Sequence, residues 1–233
     1  MALKDQSPGM CREDWLAVRA TPPFSVFPLP MVRSLITGCI PLDLERGTIV
    51  FTQGELATSV FLILSGTVKI SRITTGGSEA VLGIVRSCEI IGEAAMFCDR
   101  YYPVGAEVIK ASRILRIEGA AIISQVQKKP SLALQILASA SCRLKGLAEQ
   151  LERMKCLSAE QRIADFFLQL CACRTGACSV GLPCDKQLIA GFLGITPQTF
   201  SRALARLRDF GVSVERDTIR IADVQRLSEF AQA

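Results

Sequence analysis

The chain has 233 residues, 49% of them apolar, and 27 Lys and Arg against 22 Asp and Glu give a net charge of +5. That length and apolar fraction suit a globular protein with one large core or two modest ones, and two domains fit best. No histidine occurs, which excludes Ser-His and Cys-His nucleophile pairs, HExxH zinc sites and every histidine-ligated haem or zinc. No run reaches the roughly 18 uninterrupted apolar residues of a membrane span. The start, MALKDQSPGMCREDW, carries no apolar signal core. The chain is therefore expected in the cytoplasm without a membrane partner, and its ten cysteines are expected as thiols, buried or metal-binding.

In chain order, the opening stretch with Pro22, Pro23, Pro28 and Pro30 shows no clear period. Short strands follow. Glycines at 47, 54, 66, 77 and 92 punctuate apolar runs at 48–51, 60–64, 68–70 and 80–85. Turn signals spaced by roughly 8 to 12 residues are what an all-β sandwich or roll produces. Thr75, Gly76 and Gly77 are the expected hairpin tip, and β-rich sequence resumes from Val104 to Ile117.

A long helix comes next. Leu137, Ala140, Leu144, Leu147, Leu151 and Met154 alternate three and four apart, a heptad seam that pairs two copies as a coiled coil. The alternative is a helix packed on its own β-domain. Ser158-Ala159-Glu160-Gln161 then reads as a capping box opening a new helix with Ile163, Phe166, Phe167 and Leu170 inside, so the hinge between domains falls near Leu157. Cys171, Cys173, Cys178 and Cys184 follow as C-x-C-x4-C-x5-C. Four thiolates can ligate zinc, but the spacing is not the paired CxxC of zinc ribbons, and buried or incidental thiols explain it better, so no metal is expected.

From Lys186 to Leu207 the spacing fits a helix-turn-helix. Leu188, Ile189, Phe192 and Leu193 form one apolar stripe, and Ala190 is small where two helices would cross. Gly194 suits a left-handed turn, Thr196 an N-cap and Pro197 the first helical position. Phe200, Ala203, Leu204 and Leu207 share the inner face of the second helix, and Gln198, Thr199, Ser201, Arg202, Arg206 and Arg208 lie away from it. An α-helix fits the major groove of B-DNA, where Arg reads guanine, Gln reads adenine and Ser reaches any base edge. An ordinary amphipathic hairpin is the bland alternative. Bulk charge does not decide, because from Ser158 onward nine Lys and Arg face eight Asp and Glu; local placement of Arg202, Arg206 and Arg208 does.

Taken together, residues 36 to 228 resemble the Crp/Fnr family of bacterial transcription regulators. FTQGELATSVFLILSGTVKI (51–70), IIGEAAMF (90–97) and IAGFLGITPQTFSRALARL (189–207) look most like its Dnr and NnrR branch. The resemblance implies an α+β chain. Residues 1–35 form an N-terminal extension, 36–128 a cyclic-nucleotide-binding-like jelly roll, 129–157 a dimerisation helix, and 158–233 a winged helix-turn-helix with its wing at 212–221, turning at Arg216, Asp217 and Thr218. It implies a homodimer on a pseudo-palindromic, Fnr-like operator read by the helix 197–208, with RNA polymerase as a further partner if the protein activates. Base contacts fall on Gln198, Thr199, Ser201 and Arg202, and phosphate contacts on Lys186, Thr196, Arg206 and Arg208. Family members of the Fnr type carry Glu-x-x-Ser-Arg, so Gln198 leaves one base of the half-site open.

The same resemblance bears on the signal. Cyclic-AMP-binding members follow a Gly-Glu pair by Arg-Ser or Arg-Thr; here Gly92 and Glu93 are followed by Pro103, Val104 and Gly105, which offer a phosphate neither guanidinium nor hydroxyl. Cyclic AMP is not expected to bind, and Glu93 is expected to cap local amides. Cys11, Cys39, Cys88 and Cys98 do not match the spacing of an Fnr-type [4Fe–4S] cluster. Dnr-type members imply nitric oxide sensing through haem, whose axial ligand here would be Cys, Met or Tyr. The other readings are a thiolate metal or redox sensor and a ligand-binding module acting on a protein partner.

Overall fold

The computed structural model describes residues 9–97 and 100–232. They divide into two compact units between Leu144 and Lys145.

The opening stretch folds into two helices, α1 (Arg12–Ala20) and α2 (Leu29–Ile36). Each spans little more than two turns, too short to show a period among four prolines. Pro28 and Pro30 sit at the start of α2, where a missing N–H is harmless. Trp15 and Val18 of α1 and Met31, Val32, Leu35 and Ile36 of α2 are buried against Leu62, Leu64, Leu115 and Ile117 of the sheet that follows. An ion pair fixes α1 in place. Arg113 reaches Asp14 at 3.1 Å and Asp43 at 2.7 Å. Burial works against the Asp14 carboxylate, but hydrogen bonds from Arg113 and Cys11 outweigh it and hold the pKa below the ordinary value.

The sheet comprises β1 (Pro41–Leu44), β2 (Ile49–Phe51), β3 (Ser59–Ile73), β4 (Glu79–Arg86), β5 (Glu89–Ile91) and, after a short helix α3 (Glu93–Phe97), β6 (Gly105–Glu118). The order is β1-β6-β3-β4, with β2 on β6 and β5 on β3, all antiparallel. One face buries Phe51, Phe61, Ile63, Val68, Tyr102 and Ile114. The hairpin tip falls at 74–78, where Gly77 N donates to Thr74 O at 2.9 Å.

Gly66 does not punctuate a turn. β3 runs through it as one strand, and the pairing with β6 shifts register on either side. Its φ is +96°, and an added Cβ would lie 2.5 Å from the Ala111 carbonyl. The glycine therefore makes a β-bulge. Across the sheet, Lys69 lies between Glu79 and Glu107, each at 2.7 Å. Burial opposes its charge, but the two carboxylates prevail and raise the ammonium pKa.

Two helices follow, α4 (Gly119–Lys128) and α5 (Ser131–Cys156). Leu132 and Ile136 pack onto the core beside α1 and α2. The leucine stripe does not: Leu137 is 62% exposed, Leu144 69%, Leu147 56%, Leu151 54% and Met154 43%, and Ala140 is exposed as well. For Leu137, Ala140 and Leu144, which lie in the first unit, this contradicts the alternative in which the stripe is packed on its own sheet.

The second unit contains α6 (Ala159–Leu170), β7 (Cys178–Gly181), α7 (Lys186–Phe192), α8 (Pro197–Leu207), β8 (Val212–Glu215), β9 (Thr218–Ile221) and α9 (Val224–Gln232). Ser158 and Gln161 exchange the two bonds of a capping box at the start of α6, at 2.9 and 3.2 Å. Ile163, Phe167, Ile189, Phe200, Leu207 and Ile219 are fully buried in its core. The sheet order is β7-β9-β8. β8 and β9 are the expected hairpin, turning at Arg216 and Asp217, but β7 is an added third strand. Cys178 begins it, in register with Ile221.

Candidate nucleic-acid interface

Helix α7 ends in two bonds that fold the chain back. Gly194 N donates to Gly191 O at 3.1 Å and Ile195 N to Ala190 O at 3.0 Å, a Schellman stop with Gly194 at φ +66°. Ala190 is fully buried. Two residues on, Thr196 caps α8 by accepting from Thr199 N at 3.2 Å, and Pro197 takes the first turn.

The outer face of α8 is therefore dictated by its inner one. Phe200, Ala203 and Leu207 are buried, which leaves Gln198, Ser201, Arg202 and Arg206 exposed. Gln198, Arg202 and Arg206 are successive steps of four on one line of the helix. The helix is about 16 Å long at 1.5 Å per residue. Gln198 and Arg202 have no side-chain partner among the described residues.

The other expected contacts are placed differently. Thr199 is half-buried and its hydroxyl bonds that of Thr196 at 3.0 Å. Ser201 Oγ donates to the Pro197 carbonyl at 3.0 Å, so reaching a base requires its hydroxyl to rotate. Arg206 is ion-paired with Glu160 of α6 at 2.6 Å. Arg208 lies in the single 3-10 turn after α8, and Lys186 opens α7; both are exposed. Arg226 donates to Asp209 O at 3.1 Å and lies over the Phe210 ring at 5.8 Å.

In the first unit, Gly92 joins β5 to α3, which Glu93 opens. An added Cβ on Gly92 would meet Tyr102 at 3.1 Å. Among the described residues Glu93 caps no local amide. It is ion-paired with Arg143 of α5, whose other nitrogen donates to Ile90 O at 3.1 Å. Next to Pro103, the Tyr102 ring stacks on Phe51 at 4.0 Å. A cavity of about 180 Å³, missed by sequence reasoning, is lined by Tyr102 together with Ser59, Phe61 and Arg116. Arg116 donates to Ser59 Oγ at 2.9 Å, and Tyr102 OH to Ser59 O at 2.7 Å. Polar residues scattered singly over two strands, β3 and β6, and the loops beside them gave no spacing to find it by.

Of the cysteines, Cys98 lies outside the described residues. Cys171 caps the end of α6, its thiol donating to Phe167 O at 3.3 Å. Its pKa is pushed up to about 12 by burial, by a hydrogen bond with the Cys178 thiol and by the nearby charges of Cys178 and Cys173. Among the described residues no three or more Cys, Asp or Glu stand as a metal-holding group.

Known proteins share this arrangement. The cyclic nucleotide-binding domain family matches residues 41–129 and the Crp-like helix-turn-helix domain family residues 161–230. A Ruegeria pomeroyi structure carrying the name of a cyclic nucleotide binding protein is 35% identical, covering 95% of this chain and 98% of that one, with a TM-score of 0.73. DNR from Pseudomonas aeruginosa is 32% identical over 95% of this chain and 99% of its own, at a TM-score of 0.55. The chain belongs to the Crp/Fnr family. The CRP-like cAMP-activated global transcriptional regulator of Mycobacterium tuberculosis is 28% identical over 197 residues, 82% of this chain and 88% of that protein. As a Crp/Fnr member the chain is a DNA-binding transcription regulator with a ligand-sensing domain, and the relatives it matches are regulators. No helix among the described residues is long and apolar enough to cross a membrane.

Proposed function

We propose that this Crp/Fnr regulator works as a cytoplasmic homodimer that reads a pseudo-palindromic, Fnr-like operator through α8. The observation that carries it is the outer face of α8, where Gln198 and Arg202 stand without side-chain partners among the described residues, four positions apart on one exposed line. Arg202 takes a guanine, Ser201 a neighbouring thymine, and Gln198 an adenine or a weakened contact to cytosine. Lys186, Arg206 and Arg208 meet phosphates, with Thr196 and Thr199 spacing the helix start against the backbone. The exposed stripe from Leu137 to Met154 supports pairing through α5, and residues 129–157 and 158–233 then act as dimer helix and DNA-binding domain. If the protein activates, RNA polymerase is its further partner.

Random-site selection with the full chain tests this. The expected product is an inverted repeat whose half-site centres lie about one helical turn, near 34 Å, apart. Recovery of no motif, or of a single half-site bound by one chain, would sink the reading.

Likeness to DNR supports placing the signal in the Dnr/NnrR branch, with nitric oxide as the signal that this branch implies. The residues do not fit a haem in this conformation. The chain has no histidine, and the cavities described, of about 180 and 220 Å³, fall below the roughly 300 Å³ at which cofactor-sized pockets begin. An anaerobic haem titration is expected to give no saturable Soret shift, and a saturable one would restore the haem route. Cyclic AMP is not the effector: Glu93 is held by Arg143, and no cation or hydroxyl follows at 103–105. Sub-micromolar cyclic AMP binding with a large gain in DNA affinity would overturn that.

A further inference from the structure

The unit that begins at Lys145 holds a cavity of about 220 Å³ that the DNA-reading face does not use. Its walls come from the last turns of α5, from α6 and from the end of α7. Two guanidinium groups line it. Arg153 is answered, because its Nη1 donates to Asp165 Oδ2 at 2.9 Å, and Gln169 donates to the same oxygen at 2.8 Å. Arg162 is not. Its Nη1 donates to the Leu193 carbonyl at 2.9 Å, closing the end of α7, but its Nε is buried and meets no hydrogen-bond partner. A buried donor left without an acceptor is a costly state.

The remaining walls are apolar: Met154, Phe166 and Phe192, with the two rings 5.9 Å apart and tilted. Arg153 and Arg162 against Asp165 leave this lining one positive charge in excess. An apolar cavity of about 150 Å³ admits benzene, so this one has room for a ring and a carboxylate. We propose that the cavity binds a small monocarboxylate with a flat apolar body, one oxygen accepting from Arg162 Nε and the body resting on Phe166 and Phe192. Four-carbon stems and sugars lack the ring face these walls offer, and cations meet the wrong sign.

Its placement gives binding a consequence. Arg162 lies two residues from Glu160, which holds Arg206 of α8, so one helix carries both the cavity wall and the brace of the reading helix. This second step rests on the DNA-reading assignment above; occupancy itself does not.

The full chain is titrated with sodium benzoate, with benzyl alcohol as the neutral probe and sodium chloride as the ionic control, while the amide resonances of Gly146 and Gly194 are followed. Benzoate is expected to shift both saturably, with benzyl alcohol and the Arg162→Lys variant at least about tenfold weaker, since a charged hydrogen bond is lost. Arg162→Lys also loosens Leu193, so Gly146→Leu supplies an independent arm. Nothing lies within 4 Å of a Cβ there, and the new side chain fills the cavity from α5 and abolishes the benzoate shift, read in this variant at Gly194, without lowering Tm. Equal binding of benzyl alcohol, unchanged benzoate binding in Gly146→Leu, or no saturable shift, meaning a water-filled cavity only, would overturn the site. Benzoate is further expected to change affinity for the selected operator at least twofold in the wild type and not in Gly146→Leu. Unchanged affinity with intact benzoate shifts would remove the coupling to α8 alone.

Discussion

In the first unit charges answer one another: Lys69 lies between Glu79 and Glu107, Arg113 between Asp14 and Asp43, and Arg143 against Glu93. On α8, Gln198 and Arg202 stand in solvent with nothing to meet among the described residues. Groups neutralised inside the fold set its geometry, whereas polar groups left open in register on one helical face are available to an outside partner. Arg206 is intermediate, because Glu160 occupies it until a phosphate competes.

Breaking the first unit at its tightest point has the largest expected effect. Gly66→Ala forces a Cβ against Ala111 and Ser112 at a φ of +96°, and should cost about 4 kcal/mol or more, read as a collapse of Tm. A loss below 1 kcal/mol would show that the bulge relaxes freely. Next, the double variant Leu144→Glu, Leu151→Glu should sediment as a monomer and lose about a hundredfold in operator affinity, because two half-sites are no longer engaged together. Persistence of the dimer would move the interface off α5.

Smaller effects separate structural from reading charges. Asp14→Asn should cost about 2–3 kcal/mol, since it leaves a partly buried guanidinium short of its partner, and should leave operator affinity unchanged. The Asp14 carboxylate titrates below its unfolded value, so its contribution is present above the ordinary aspartate pKa of about 3.9 and is lost as pH falls through the lower folded value. Urea midpoints from pH 7 to 3 should therefore converge for wild type and variant at the acid end. Finally, Arg202→Ala should lose about 1–3 kcal/mol and relax one base pair. Arg206→Ala should lose under about 1 kcal/mol on every sequence and flatten the salt dependence, because its exchange of Glu160 for phosphate offsets part of the gain. Equal losses on matched and scrambled duplexes for both variants would erase that distinction.

The reading helix was legible because its signals are local: Gly194, Thr196 and Pro197 mark its start within four positions, and Phe200, Ala203 and Leu207 settle its faces. The leucine stripe of α5 was legible for the same reason. α1 and α2 were not, because two-turn helices separated by a proline-rich stretch hold their shape through contacts with β3 and β6 far along the chain. Strand β7 escaped because its four residues, CSVG, carry no alternation. Gly66 misled, since a glycine making a bulge and one making a turn look alike without the partner strand. Glu93 was placed correctly beside Gly92, but its partner Arg143 lies 50 residues on, and no spacing rule joins them.

The ion pair of α1 has one practical corollary for anyone excising the sensing portion at the first matched family residue, Pro41. Such a fragment would lack Asp14 and leave the Arg113 side chain, 25% exposed, with only Asp43 to meet it. It would also uncover the greasy patch that Trp15, Val32 and Leu35 shield. Aggregation of that fragment would then say nothing about its ligand, and a clone beginning at Gly9 is the smaller piece worth making.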